Sequence, residues 1–126
     1  MRKVLLVAAL AASLALAGSA QAAAWTTVAS KKGSGAFTVK AFSKTVNNPK
    51  GIRLVARSTK GMHVEWSIGC SRGSTIRAKG GSWKPGSGKR TKKLPMLDDA
   101  DSCSIVAAFG SKGLAGGKWR LTLQKR

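Results

Sequence analysis

Met62, Val64, Trp66, Ile68 and Cys70 occupy every second position of one segment, and His63, Glu65, Ser67, Gly69 and Ser71 fill the positions between them. Alternation of this kind predicts a β-strand over 62–71 with one face on a core and the other in water. The segment 103–109 repeats it, with Cys103, Ile105, Ala107 and Phe109 sharing a face. In 118–125, Trp119, Leu121 and Leu123 alternate with Arg120, Thr122 and Gln124. In 52–58, Ile52, Leu54 and Ala56 alternate with Arg53, Val55 and Arg57. Further strands are predicted at 25–29, 37–46, 74–79 and 90–94. In 37–46, Phe37, Val39 and Ala41 group on one face, and Thr38, Lys40 and Lys44 on the other. The turns between strands are marked by residues 31–35, by Asn47-Asn48-Pro49-Lys50-Gly51 and by Thr59-Lys60-Gly61. Asn and Gly accept positive φ there, and Pro presets the bend.

No stretch of the exported part sustains a helical period, so the pattern predicts an all-β fold. Its expected form is a small antiparallel β-sandwich of about seven to eight short strands with one disulfide. The layout resembles the immunoglobulin-like architecture without the marks of a true immunoglobulin domain. Trp66 precedes Cys70 on the same strand, Asp101 stands two before Cys103, and the chain has no tyrosine. A true immunoglobulin domain carries its core tryptophan on the strand after the first cysteine and a tyrosine two before the second.

The first residues have a different character. Arg2 and Lys3 precede an apolar run from Val4 to Ala17, broken only by Ser13, and Ala20-Gln21-Ala22 follows. Positive start, short apolar core and small-x-small end form the layout of a cleavable secretory signal peptide over 1–22. Cleavage is expected after Ala22, with Ala24 as the alternative site. Ser19 stands where a lipoprotein signal requires a cysteine, so a released secreted or periplasmic product is expected, with no transmembrane segment after cleavage. Residues 23–126 then form one domain. In an oxidising compartment, two cysteines predict one bridge, Cys70–Cys103, and alternation turns both thiols toward the same interior.

Charge narrows the function classes. The chain has 23 Lys and Arg against 4 acids; removal of Arg2 and Lys3 with the leader leaves 21 against 4, a formal +17. Such a field attracts anions and opposes cations. Residues 72–93 hold Arg72, Arg77, Lys79, Lys84, Lys89, Arg90, Lys92 and Lys93 with no acid, and Trp83 sits among them. Their Gly- and Ser-rich setting predicts a mobile basic loop that grips an anionic polymer or surface, with Pro85-Gly86-Ser87-Gly88 at its tip. The partner classes are cell-wall polymers, lipid head groups, acidic polysaccharide and extracellular nucleic acid. Outward Lys40, Lys44, Arg53, Arg57 and Arg120 extend the patch if their strands are neighbours.

Candidate chemistry is sparse, and a non-enzymatic module without cofactor is expected. His63 and Glu65 share the outward face of one strand, but no serine or cysteine is marked as a nucleophile beside them. Asp98, Asp99 and Asp101 hold three of the four acids. They read as a turn whose side chains bond back to the backbone rather than as a metal site. Residues 85–91 lack the first glycine and the final Ser or Thr of a phosphate-cradling loop, positions held by Trp83 and Arg90. The alternative to polyanion binding is a secreted protein-binding inhibitor or adhesin-like domain.

Overall fold

A computed structural model describes residues 24–36, 38–111 and 116–126. The expected leader and Phe37 lie outside them. The described chain forms eight strands: β1 (Thr26–Ser34), β2 (Val39–Asn47), β3 (Ile52–Ser58), β4 (Met62–Arg72), β5 (Thr75–Trp83), β6 (Gly88–Lys93), β7 (Ser102–Ser111) and β8 (Lys118–Lys125). They build two four-stranded sheets, β1-β8-β3-β6 and β2-β7-β4-β5. Every strand pairing is antiparallel. The fold is thus the all-β sandwich that the alternation predicts. Among the described residues, no helix is long and apolar enough to cross a membrane.

The core lies between the sheets. β3 and β8 supply Ile52, Leu54, Ala56, Trp119, Leu121 and Leu123 from one side. β4 and β7 supply Met62, Val64, Trp66, Ile68, Ile105, Ala107 and Phe109 from the other. Each large apolar side chain taken out of water contributes ~1.5–3 kcal/mol, so these four central strands carry most of the folding drive. Phe109 packs at a tilt against Phe42, with ring centroids 5.3 Å apart, and meets Trp119 edge-on at 5.7 Å. Gly33 of β1 lies opposite Trp119, where a Cβ would come within 2.5 Å of the indole. Glycine is therefore required sterically at this position, and a strand continues where the residue pattern predicts a turn. β1 runs through Lys31 and Lys32 to Ser34, held by its register with β8.

Two further details differ from the sequence reading. On β2 the buried residues are Phe42 and Val46, while Val39 is 70% exposed. Val39 and Ala41 therefore do not form the inner face, and Phe37, the third of the expected group, lies outside the described residues; β2 is an edge strand whose core-facing apolar residues are Phe42 and Val46. The run 72–93, expected as a loop, is mostly strand. Gly73 takes φ +59° at the first central position of a two-residue hairpin, Arg72 and Thr75 pair across it, and β5 follows β4 as far as Trp83 opposite Val64. Only residues 84–87 connect β5 to β6, and they are tied down. The Met62 N–H donates to the Pro85 carbonyl (3.0 Å), and Pro85 is buried.

Cys70 and Cys103 are directly opposite on neighbouring strands β4 and β7, with Cα atoms 4.0 Å apart, and form the disulfide. The bridge is internal to one sheet. An immunoglobulin domain places its bridge between sheets, which is the physical sense in which this sandwich is not one.

Candidate anion-binding face

β5 and β6 are edges of different sheets, so the chain crosses the sandwich in the middle of the basic run and divides it. Arg72 ends β4 and donates from Nη1 to the Asp98 carbonyl (2.9 Å). Arg77 and Lys79 lie on the free edge strand β5, beside a small groove lined by Pro95, Met96 and Leu97. Trp83 ends β5 with its ring half-buried against the core. Lys84 is in the connection. Arg90 and Lys92 lie opposite Ala56 and Leu54, which gives them the core-facing parity of edge strand β6. The Lys92 ammonium sits 5.6 Å from the Trp66 ring centroid. Only Lys89 and Lys93, opposite Arg57 and Arg53, stand on an outer sheet face.

That outer face gathers cations from all four of its strands. Lys32 of β1 pairs with Arg120 of β8, Arg120 with Arg57 of β3, and Arg57 with Lys89 of β6. Four cations thus form one unbroken row across the sheet. Neighbouring strands are ~4.8 Å apart, so the row spans roughly 14 Å. A second row begins two positions on: Ser30, Thr122, Val55 and Thr91, without charge. Beyond it lie Gln124, Arg53 and Lys93. The Arg53 Nε donates to Gln124 Oε1 (2.8 Å), and its guanidinium covers the Trp25 ring at 4.2 Å. Arg126 covers the same indole at 4.8 Å.

Like charges directly opposite each other in a sheet are destabilising. Here the pairs Lys32–Arg120, Arg120–Arg57, Arg57–Lys89 and Arg53–Lys93 all repel, and no carboxylate interrupts them. The four-cation row borders along its whole length a groove of about 710 Å³, lined by Lys32, Arg57, Lys89, Lys118 and Arg120 with the hydroxyl residues Ser34, Ser58 and Thr59. Its glycine walls, Gly33 and Gly88, keep the backbone close to the opening.

The outer face of the other sheet is the opposite in character. Its outward positions hold Ser, Thr, Ala, Gly and Val, with Asn47, Ile76, His63 and Glu65 besides, and no Lys or Arg among the described residues. Lys40 and Lys44 belong to this sheet's edge strand β2, opposite Phe109 and Ile105, and so take core-facing parity. Lys31, Arg77, Lys79, Arg90 and Lys92 share that placement on the other three edges. Inward-pointing charge on an edge strand blocks pairing with another chain. Most of the strand cations are therefore either edge guards or members of a one-sided face.

Of the residues read from sequence as a possible extension of the patch, Arg53, Arg57 and Arg120 converge on this face, whereas Lys40 and Lys44 do not. Lys32 joins it without a signal in the alternation, whereas Lys118 joins it with the outward parity of Arg120 on β8. Lys32 reads as a turn residue until Gly33 is recognised as the slot for Trp119. The Gly73-Ser74 pair is the available signal that β5 folds back as a hairpin.

The remaining candidates are structural. His63 Nε2 lies 2.6 Å from Glu65 Oε1, and the Ser82 hydroxyl donates to the same carboxylate oxygen. The carboxylate sits in the middle, so the imidazole does not contact the serine it would have to activate. Those bonds, from Ser82 first and His63 second, hold the Glu65 carboxyl below its usual range. Asp101 Oδ2 accepts from the Gly73 N–H (2.7 Å), and the Asp101 N–H donates to the Ser71 carbonyl (2.7 Å). Asp99 takes φ +54° in the same turn. The acidic loop thus locks the β4–β5 hairpin.

No protein-family model and no curated protein sequence matches the chain. Solved structures similar to it include two carbohydrate-binding modules. One is a family 11 carbohydrate-binding module from Clostridium thermocellum in complex with a beta-1,3-1,4-mixed-linked tetrasaccharide, at 12% identity and TM-score 0.40, covering 80% of this chain and 94% of that chain. The other is TmCBM61 in complex with beta-1,4-galactotriose, at 13% identity and TM-score 0.37, covering 79% and 90%. Both likenesses concern the fold alone.

Proposed function

We propose that the protein is an exported, non-enzymatic binding module whose β1-β8-β3-β6 face holds an anionic polymer or surface. The observation that carries this reading is the row Lys32–Arg120–Arg57–Lys89, four cations kept side by side at a cost in sheet stability. An anionic chain laid along the row relieves that repulsion, so binding and stability are coupled. Removal of the 1–22 leader and release outside the cytoplasm belong to the same proposal; a disulfide in so small a domain fits that compartment.

Binding of a fluorescent oligothymidylate measured against salt tests the basic face. Each phosphate contact contributes about 0.7 to the log–log slope on a single strand. The double variant Arg57→Gln, Arg120→Gln is expected to flatten the slope by ~1.4. Lys40→Gln, Lys44→Gln, on the other sheet, is expected to change it far less. Equal effects of the two doubles would make the attraction a matter of net charge alone and would remove the site.

A second reading, a protein-binding domain, rests on the uncharged face, where Val39, Val106 and Ile76 are 70%, 46% and 76% exposed. Recovery of one stoichiometric protein partner, lost on Ile76→Lys, would favour it.

A further inference from the structure

The arrangement of the basic face discriminates among polyanions. Along the strands the outward cations are spaced more widely: Arg53 and Arg57 on β3, like Lys89 and Lys93 on β6, are four residues apart, or ~13 Å, and Lys118 and Arg120 on β8 are two apart, or ~6.6 Å. Across the strands the spacing falls to ~4.8 Å. A linear chain with a charge on every repeat therefore matches the face when it runs perpendicular to the strands, from Lys32 to Lys89. In that direction it also meets a second kind of contact. The uncharged row lies ~6.6 Å to one side, two residues along each strand, and presents the hydroxyls of Ser30, Thr122 and Thr91. Ser30 Oγ and Thr122 Oγ1 are 3.0 Å apart and hydrogen-bonded, so these hydroxyls are ordered.

Nucleic acid asks for something else. Single strands are held by backbone contacts together with aromatic rings on which bases stack. The aromatic side chains of the described residues are already committed. Phe42, Trp66, Phe109 and Trp119 are buried, and Trp83 packs on the core. Trp25, at the margin of the basic face, is covered by the Arg53 and Arg126 guanidiniums, 4.2 and 4.8 Å from its ring centroid. The face thus offers a charged rail and a hydroxyl rail, and no stacking platform among the described residues.

We propose that the ligand is a linear acidic polysaccharide, carrying sulfate or carboxylate along one edge and free hydroxyls along the other. It binds across the strands of the β1-β8-β3-β6 sheet. The anionic groups sit on Lys32, Arg120, Arg57 and Lys89, and the sugar hydroxyls exchange hydrogen bonds with Ser30, Thr122 and Thr91. This inference rests on the polyanion reading above and narrows it to one chemical class.

The test is titration calorimetry of the mature, oxidised domain with a heparin octasaccharide and with an oligothymidylate of equal charge, at one salt concentration. The octasaccharide is expected to bind at least tenfold more tightly. The variant Thr91→Val, Thr122→Val keeps β-branched side chains on the outer face. It is expected to weaken the octasaccharide severalfold and leave oligothymidylate unchanged, with circular dichroism confirming the fold. Equal or tighter binding of oligothymidylate overturns the polysaccharide assignment while leaving the basic face standing. If neither probe binds, or if Arg57→Gln, Arg120→Gln leaves both affinities unchanged, the basic-face reading falls and this inference with it.

Discussion

Arg57 stands between two like charges, Arg120 on one side and Lys89 on the other. Replacing it with glutamine keeps a long polar side chain and removes the middle charge of the row. Two unit charges ~6 Å apart in water repel by roughly 0.7 kcal/mol. Direct measurements on cross-strand pairs span about 0.2–1 kcal/mol. Two such repulsions vanish together, so the variant is expected to be more stable than the parent by ~0.4–2 kcal/mol at low ionic strength. In a domain of this size, 1 kcal/mol moves Tm by about 4–8 °C. Calorimetric scans at ~0.01 M and ~1 M salt separate this effect from packing, because the Debye length shrinks from ~30 Å to ~3 Å between them. The gain is expected at the lower salt and is expected to disappear at the higher. The same substitution should weaken polyanion binding, so stability and affinity move in opposite directions. A variant that is less stable at low salt, or whose stability change ignores salt, would refute the claim that the row stores repulsion.

Three further outcomes are expected. Cys70→Ala with Cys103→Ala opens a loop of 33 residues and should cost about 4 kcal/mol on the chain-entropy relation. With a typical slope that appears as a drop of ~2–3 M in the urea midpoint, and a shift under ~0.5 M would contradict it. Lys40→Val with Lys44→Val removes the guards from edge strand β2 and should produce dimers or larger species in sedimentation velocity; a strictly monomeric double variant would assign the edge cations another role. Glu65 is held below the usual carboxylate range, first by Ser82 and then by His63. Its contribution to stability is therefore present above the unfolded-state pKa and fades as pH falls through the lower folded value. Ser82→Ala should raise the Glu65 pKa in a carboxyl-carbon NMR titration, and an unmoved curve would mean that the serine bond does not set it.

The four central strands were legible in the sequence because both of their neighbours are strands and one face is sealed. In β4, β8 and most of β3 and β7, burial follows the alternation, and it carried the disulfide with it. Edge strands obey weaker constraints. On β2 the core takes only Phe42 and Val46, so the alternation of the exposed Val39 and Ala41 was misleading. β5 has no buried side chain and a glycine-rich end, which reads as loop until the Gly73-Ser74 turn sets it against β4. The basic face was only partly legible for a related reason. Outward cations on β3 and β8 follow from alternation, but their convergence with Lys32 and Lys89 is a product of strand order, which periodicity does not encode.

The most direct measurement of where the ligand sits is amide chemical-shift mapping of the labelled mature domain, titrated with a heparin octasaccharide. The basic-face reading places the largest perturbations on β1, β8, β3 and β6, centred on Lys32, Arg120, Arg57 and Lys89 and fading toward the sheet ends. Perturbations centred on β5, or on the uncharged outer face of the β2-β7-β4-β5 sheet, would contradict it.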